Sequence, residues 1–169
     1  MNQFTLGVSA CLLGHNVRYD GKNKLNWWLY TEGRKMFNLL PICPEKECGL
    51  PVPREPMHLE EKKGEIYLLG NQTQKDFTPL IHKWAVKKIE ELKTIQLCGY
   101  VFKSKSPSCG LNLSLDSQGK IQGLWAYIFS QNFPFIPILE EKDLSNPKLR
   151  ENFLHQVFRL QEKLKKSSY

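Results

Sequence analysis

One strongly apolar run that ends in a serine- and glycine-rich turn carrying a single thiol constrains this chain more than any other stretch. Ile95-Gln-Leu-Cys-Gly-Tyr-Val-Phe102 is short, β-branched and aromatic, which predicts a buried strand. The chain leaves it through Lys103-Ser-Lys-Ser-Pro-Ser-Cys-Gly110. That exit places Cys109 and several hydroxyls at the strand's carboxyl end, where ligands bind in open α/β sheets. Two other thiols are placed alike: Cys11 follows the run Phe4 to Ala10, and Cys43 follows Phe37 to Ile42.

The rest of the chain supplies the layers such a strand needs. Leu25 to Phe37 has apolar residues at helical intervals, although it contains Gly33. Cys43 to Pro56 carries four prolines, a pattern incompatible with a helix interior or a central strand, and predicts a rigid excursion. Met57 to Leu69 predicts a small hairpin turning at Gly64, an edge decoration of the sheet. Thr78 is the expected cap of a helix opened by Pro79, with Leu80, Ile81, Trp84, Ala85, Ile89 and Leu92 on its apolar face. Beyond Cys109 the pattern predicts an extended piece at Leu111–Leu115, a turn at Asp116–Gly119, a helix over 123–131 and a proline-flanked edge strand over 133–139. A final helix starts at Asn146 and Pro147 and carries Leu149, Phe153, Val157, Leu160 and Leu164 on one face.

This alternation predicts a Rossmann-like three-layer α/β fold: a mostly parallel sheet of about four strands, helices on both faces and a hairpin insertion, in one domain over 1–169. A chain of 169 residues with 41% hydrophobic residues buries such a core without disulfides. No apolar run reaches the roughly 18 residues of a membrane helix, and the N-terminus lacks a secretory pattern, so a cytoplasmic location is expected. Five irregularly spaced cysteines argue for structural, reactive or metal-binding thiols in a reducing compartment. The net charge is +7. Lys103 and Lys105, beside Cys109, are the part of that excess suited to drawing an anionic substrate or an RNA phosphate to the site.

No Cys-x-x-Cys pair is present, so context rather than spacing singles out Cys11, Cys43 and Cys109. The alternative for each is a small buried hydrophobe, which is the preferred reading for Cys98. Cys48 stands between the two as a possible fourth ligand. Glu45, two residues after Cys43 on a proline turn, is either beside the thiol or solvated. Ser104, Ser106 and Ser108 either bond a ligand or satisfy turn amides. Arg18 and Arg54 either bind an anion or brace a carboxylate such as Asp20.

Five ordered strings, Ser9-Ala-Cys-Leu-Leu-Gly14, Arg18-Tyr-Asp-Gly21, Cys43-Pro-Glu45, Gly49-Leu-Pro-Val-Pro-Arg54 and Lys103 to Gly110, together resemble the thiouracil desulfidase (TudS-type) family. The likeness continues more loosely through Gly123-Leu-Trp-Ala126. Pro137 to Glu141 and Arg150 to Phe153 resemble the branch in which the domain is fused to a second, helical domain and is linked to thiolated uridine in nucleotides or tRNA. These 169 residues hold no such second domain.

The resemblance implies a 4Fe–4S cluster held by Cys11, Cys43 and Cys109 with one iron free of protein ligands, and non-redox desulfuration of a thiolated uracil, uridine nucleotide or tRNA thiouridine. It further implies that Glu45 activates water and Ser106 orients the substrate; Arg18, Arg54, Ser104 and Ser108 are candidate substrate contacts from their own residue types and loop positions. Where the family commonly has glycine, this chain has Cys48. That leaves a closed four-cysteine zinc or cluster module as a rival, and a basic RNA-binding module as a third class.

Overall fold

The computed structural model describes residues 4–115 and 119–167. Its main sheet is formed by four parallel strands in the order β2-β1-β5-β8: β1 is Thr5–Ser9, β2 Asn38–Ile42, β5 Leu97–Phe102 and β8 Ile138–Glu140. From β1 the chain moves first to one side, to β2, and then to the other, to β5 and β8. The sense of winding therefore reverses between β1 and β5, and a crevice opens there at the strands' carboxyl ends.

Both faces of the sheet are covered. On one, Leu6, Val8, Cys98 and Val101 pack against Phe153 and Val157 of α5 (Pro147–Ser167) and against Leu29. On the other, Ile42, Leu97, Tyr100 and Phe102 meet Ala85, Ile89 and Leu92 of α3 (Thr78–Lys93) and Trp125, Ala126 and Phe129 of α4 (Leu124–Asn132). β1 and β5 are buried along their whole length, as the apolar runs require. A bulge lets β5 serve both layers, for Thr5 pairs with Leu97 but Leu6 with Gly99, so the ladder skips Cys98. Gly7 is dictated by packing, since a Cβ there would come within 2.5 Å of the Tyr100 ring.

Several expectations are corrected in detail. The 25–37 segment is helical from Trp27, but widens to a π-turn over Leu29–Gly33 before a last α-turn, α1 (Arg34–Met36). The proline excursion contains one helical turn, α2 (Pro44–Glu47), which tolerates Pro44 because it stands at the first position, where no N–H partner is needed. The hairpin, β3 (Met57–Lys62) and β4 (Glu65–Gly70), forms its own two-stranded sheet instead of extending the main one. It is tied to the start of α3: the Thr78 hydroxyl accepts the Leu68 N–H at 2.8 Å, and Asp76 accepts the Thr78 N–H, so Thr78 does not cap its own helix.

Of the predicted strand over 133–139 only the end pairs with β5, at the edge of the sheet; Pro134 and Pro137 leave Phe135 89% exposed. Leu113–Leu115 (β6) pairs with Gly119–Ile121 (β7), and residues 116–118 of the expected turn lie outside the described residues. Asn146 does cap α5, its side-chain oxygen accepting from the N–H groups of Lys148 and Leu149. Among the described residues no helix is long and apolar enough to cross a membrane.

Candidate active site

A cavity of about 920 Å³ opens over the carboxyl ends of β1, β2 and β5. Cys11, Cys43 and Cys109 all line it, together with Glu45, Arg18, Arg54, Ser104 and Ser106. Cys11 sits in a 3-10 turn directly after β1, and Cys109 in the loop after β5, so the two flank the crevice between those strands; Cys43 stands directly after β2. Their neighbourhood is shared. Burial pushes Cys11 up to about 11 and Cys43 up to about 12. Cys109 is also raised, by burial and then by the Glu45 carboxylate, with the other two thiols adding and the Ser9 hydroxyl opposing. Three thiols that influence one another across one cavity therefore stay protonated at neutral pH, until a metal displaces their protons. Among the described residues no three His, Cys, Asp or Glu side chains converge tightly enough to share a single ion.

The other two cysteines are elsewhere. Cys48 donates to the Glu45 carbonyl at 3.2 Å and packs with Leu68, Phe77 and Ile81 beneath the hairpin. Cys98 is fully buried, donates to the Thr5 carbonyl and accepts from Gln161. Neither lines the cavity.

The loop bearing Cys109 is fixed from two directions. Glu140 and Glu141, consecutive residues leaving β8, grip its two limbs. Glu141 accepts from Lys103 Nζ at 2.5 Å, the Ser104 N–H at 2.6 Å and the Ser104 hydroxyl at 2.9 Å. Glu140 accepts from the N–H groups of Leu111 at 2.7 Å and Asn112 at 3.2 Å, and pairs with Lys142 at 2.9 Å. Burial raises the Glu140 carboxyl, but these bonds outweigh it and hold the group below the usual range.

The second direction is α4. The N–H groups of Leu124 and Ala126 donate to the carbonyls of Pro107 and Ser108, so loop carbonyls replace the missing side-chain cap. Gly123 makes this docking possible, because a Cβ there would lie 2.6 Å from the Ser108 backbone. Ser106 closes the turn by accepting from the N–H groups of Ser108 and Cys109. Its lone pairs are thus occupied and its hydroxyl proton remains for the cavity.

The loop bearing Cys43 is held through side chains. Glu47 reaches back to the Cys43 N–H at 3.0 Å, and its other oxygen accepts from Lys88 at 2.8 Å and Trp84 Nε1 at 3.3 Å of α3. Glu45 is 8% exposed. One oxygen accepts from the Cys43 thiol at 3.5 Å and lies 3.9 Å from Arg54; the other has no partner among the described residues.

The candidate cations and serines divide in the same way. Lys103 is spent on Glu141, Arg18 lies 3.7 Å from Asp20, and Arg54 faces Glu45. Ser104 is engaged by Glu141, and Ser108 is fully buried behind the lining with its hydroxyl unpartnered. On the rim, Lys24 and Lys105 are exposed and carry no ion pair among the described residues. Sequence reasoning gave no role to Glu140, Glu141 or Gly123, although all three fall within the strings Pro137 to Glu141 and Gly123 to Ala126 that carry the looser part of the resemblance.

The uncharacterized protein YbbK of Bacillus subtilis (strain 168) is 32% identical over 111 residues, covering 61% of this chain and 71% of that protein. A solved structure of the 4Fe–4S-dependent thiouracil desulfidase TudS superposes with a TM-score of 0.66 at 24% identity, covering 89% of this chain and 99% of that one. A sequence model of the 2-thiouracil desulfurase family matches residues 6–141, which run from within β1 to just past β8 and include all three cavity thiols, and the chain belongs to that family.

Proposed function

We propose that this chain is an enzyme that removes sulfur from a thiolated uracil by hydrolysis, at a 4Fe–4S cluster held by Cys11, Cys43 and Cys109. The observation that carries the reading is the meeting of three strand-end thiols and one buried carboxylate in a single cavity. The donor set suits the group: soft thiolates favour an iron–sulfur cluster, and Lys103, Arg18 and Arg54 stand close enough to offset the buried negative charge. Arg18 and Arg54 also each leave a buried Nε without a hydrogen-bond partner. When bound, such a cluster supplies an iron lacking a protein ligand, a Lewis acid for the soft thiocarbonyl sulfur.

The chain's own residues do the rest. Glu45 offers its unpartnered oxygen to a water and takes the proton as that water attacks the thiocarbonyl carbon. Ser106 turns its free proton toward the substrate's sulfur or the oxygen replacing it. Thiouracil and water become uracil and hydrogen sulfide, with no change in oxidation level. The closed four-cysteine alternative lacks its fourth donor, since Cys48 is turned beneath the hairpin.

The finer substrate we propose is a thiolated uridine nucleotide. The supporting cations are Lys105 and Lys24 on the rim, because Lys103, Arg18 and Arg54 are committed to carboxylates. The test is anaerobic iron reconstitution followed by sulfide release from 2-thiouracil and from 4-thiouridine monophosphate. Turnover of both is expected, with a lower KM for the nucleotide that rises with salt. Absence of sulfide from both, with iron bound, would overturn the reading. Equal, salt-independent KM values would remove only the nucleotide.

A further inference from the structure

We infer that Arg54 is the positioning residue of the reaction, holding the Glu45 carboxylate toward the water it activates; the inference rests on the catalytic reading of Glu45. Three observations combine. First, Arg54 is immobilised independently of any ligand. Its backbone N–H donates to the Tyr19 carbonyl at 2.9 Å, and its guanidinium donates to the carbonyls of Val17 at 2.9 Å and Pro51 at 3.3 Å. The side chain is only 8% exposed.

Second, the closest approach of this fixed cation to an acid is to Glu45 Oε2, at 3.9 Å. That distance orients the carboxylate by charge without engaging it in the paired hydrogen bonds an arginine fork forms at contact. Glu45 Oε1 is thereby left open to the cavity. Third, the other tether of Glu45 is a single hydrogen bond from the Cys43 thiol at 3.5 Å, and it falls on the same oxygen, Oε2, that faces Arg54, so both restraints act on one side of the carboxylate and leave Oε1 to the cavity.

This role differs from binding a substrate anion. A lysine cannot reproduce it fully, because one ammonium does not span the Val17 and Pro51 carbonyls in a plane while facing Glu45. The test is a double-mutant cycle with Arg54→Met, Arg54→Lys and Glu45→Gln, each reconstituted anaerobically and measured for iron per chain, visible spectrum, kcat and KM on both 2-thiouracil and 4-thiouridine monophosphate.

The expected result is unchanged iron and spectrum, with kcat for Arg54→Met lower by about 10–100-fold on both substrates, as for other groups that orient a reacting residue. KM should stay near its parent value, Arg54→Lys should recover part of kcat, and Arg54→Met should cost nothing further in the Glu45→Gln background. Parent kcat in Arg54→Met would overturn the inference. So would a rise in KM for the nucleotide alone, or an equal loss with and without Glu45. Should Arg54→Met fail to take up iron, the same cycle with Arg54→Lys decides by the same additivity. Near-parent kcat in Glu45→Gln alone would instead overturn the catalytic reading of Glu45 on which the inference rests.

Discussion

The Cys109 limb of the cavity, residues 103–112, and the Cys43 limb, residues 43–54, face each other but are held by different means. Around Cys109 the ties run mainly to backbone: Glu140 and Glu141 take three loop N–H groups, and the α4 amides take two loop carbonyls. Around Cys43 the same side chains that bond backbone, Glu47 to the Cys43 N–H and Arg54 to the Val17 and Pro51 carbonyls, also meet side chains, Glu47 with Lys88 and Trp84 and Arg54 with Glu45. Backbone ties fix where the chain runs; side-chain ties set where a charge points. On the proposed reading, the first limb holds a cluster ligand still, and the second holds a carboxylate in a chosen direction while leaving one oxygen free.

The contrast is broken most strongly by deleting one acid from each limb of the metal-free chain. Glu141→Ala leaves Lys103 mostly buried without its partner and frees the Ser104 amide, so a loss of about 3 kcal/mol is expected. Glu47→Ala removes a more exposed acid and should cost about 1 kcal/mol. Urea midpoints give the ordering, and amide hydrogen exchange over residues 104–112 should accelerate in the first variant only. Equal losses would mean the two limbs are held alike.

A smaller effect sharpens the comparison through pH. The thiols of Cys11 and Cys43 titrate near 11 and 12 in the folded chain, against 9.0 for an ordinary thiol. Groups raised on folding stabilise the folded state below their unfolded value and lose that contribution as pH rises through the folded one. The thermal midpoint of the metal-free chain should therefore fall as pH climbs from about 9 toward 11 and 12. Once iron is bound the thiols carry no protons, so the midpoint of the loaded protein should be flatter over that range. Matching slopes in the two forms would show that these thiols are not the titrating groups.

What could be read from the sequence followed local pattern. The β1, β2 and β5 strands announce themselves as apolar runs, and a thiol after each is enough to place Cys11, Cys43 and Cys109 at one end of a parallel sheet. Glu45, two residues from Cys43 on a proline-opened turn, was legible as a neighbour of the thiol or as a solvated acid, and its burial decides for the first. Partners distant in sequence were not legible. Lys103 read as a cation that draws an anionic substrate, and Ser104 as a substrate contact or a turn residue, because the acid that engages both, Glu141, is 38 and 37 residues further along. Thr78 read as a helix cap because nothing local reveals that its hydroxyl belongs to Leu68 of the hairpin. The strand expected over 133–139 was drawn too long, since an apolar stretch with two prolines does not reveal how few of its residues reach the sheet.

The central claim is that three thiols on one cavity, and not the remaining two, hold the iron that the reaction needs. Iron per chain after anaerobic reconstitution of the five single Cys→Ser variants tests it most directly. The account predicts brown protein with parent iron content for Cys48→Ser and Cys98→Ser, and bleached, iron-poor protein for Cys11→Ser, Cys43→Ser and Cys109→Ser. Full iron content in Cys109→Ser, or its loss in Cys48→Ser, would contradict it.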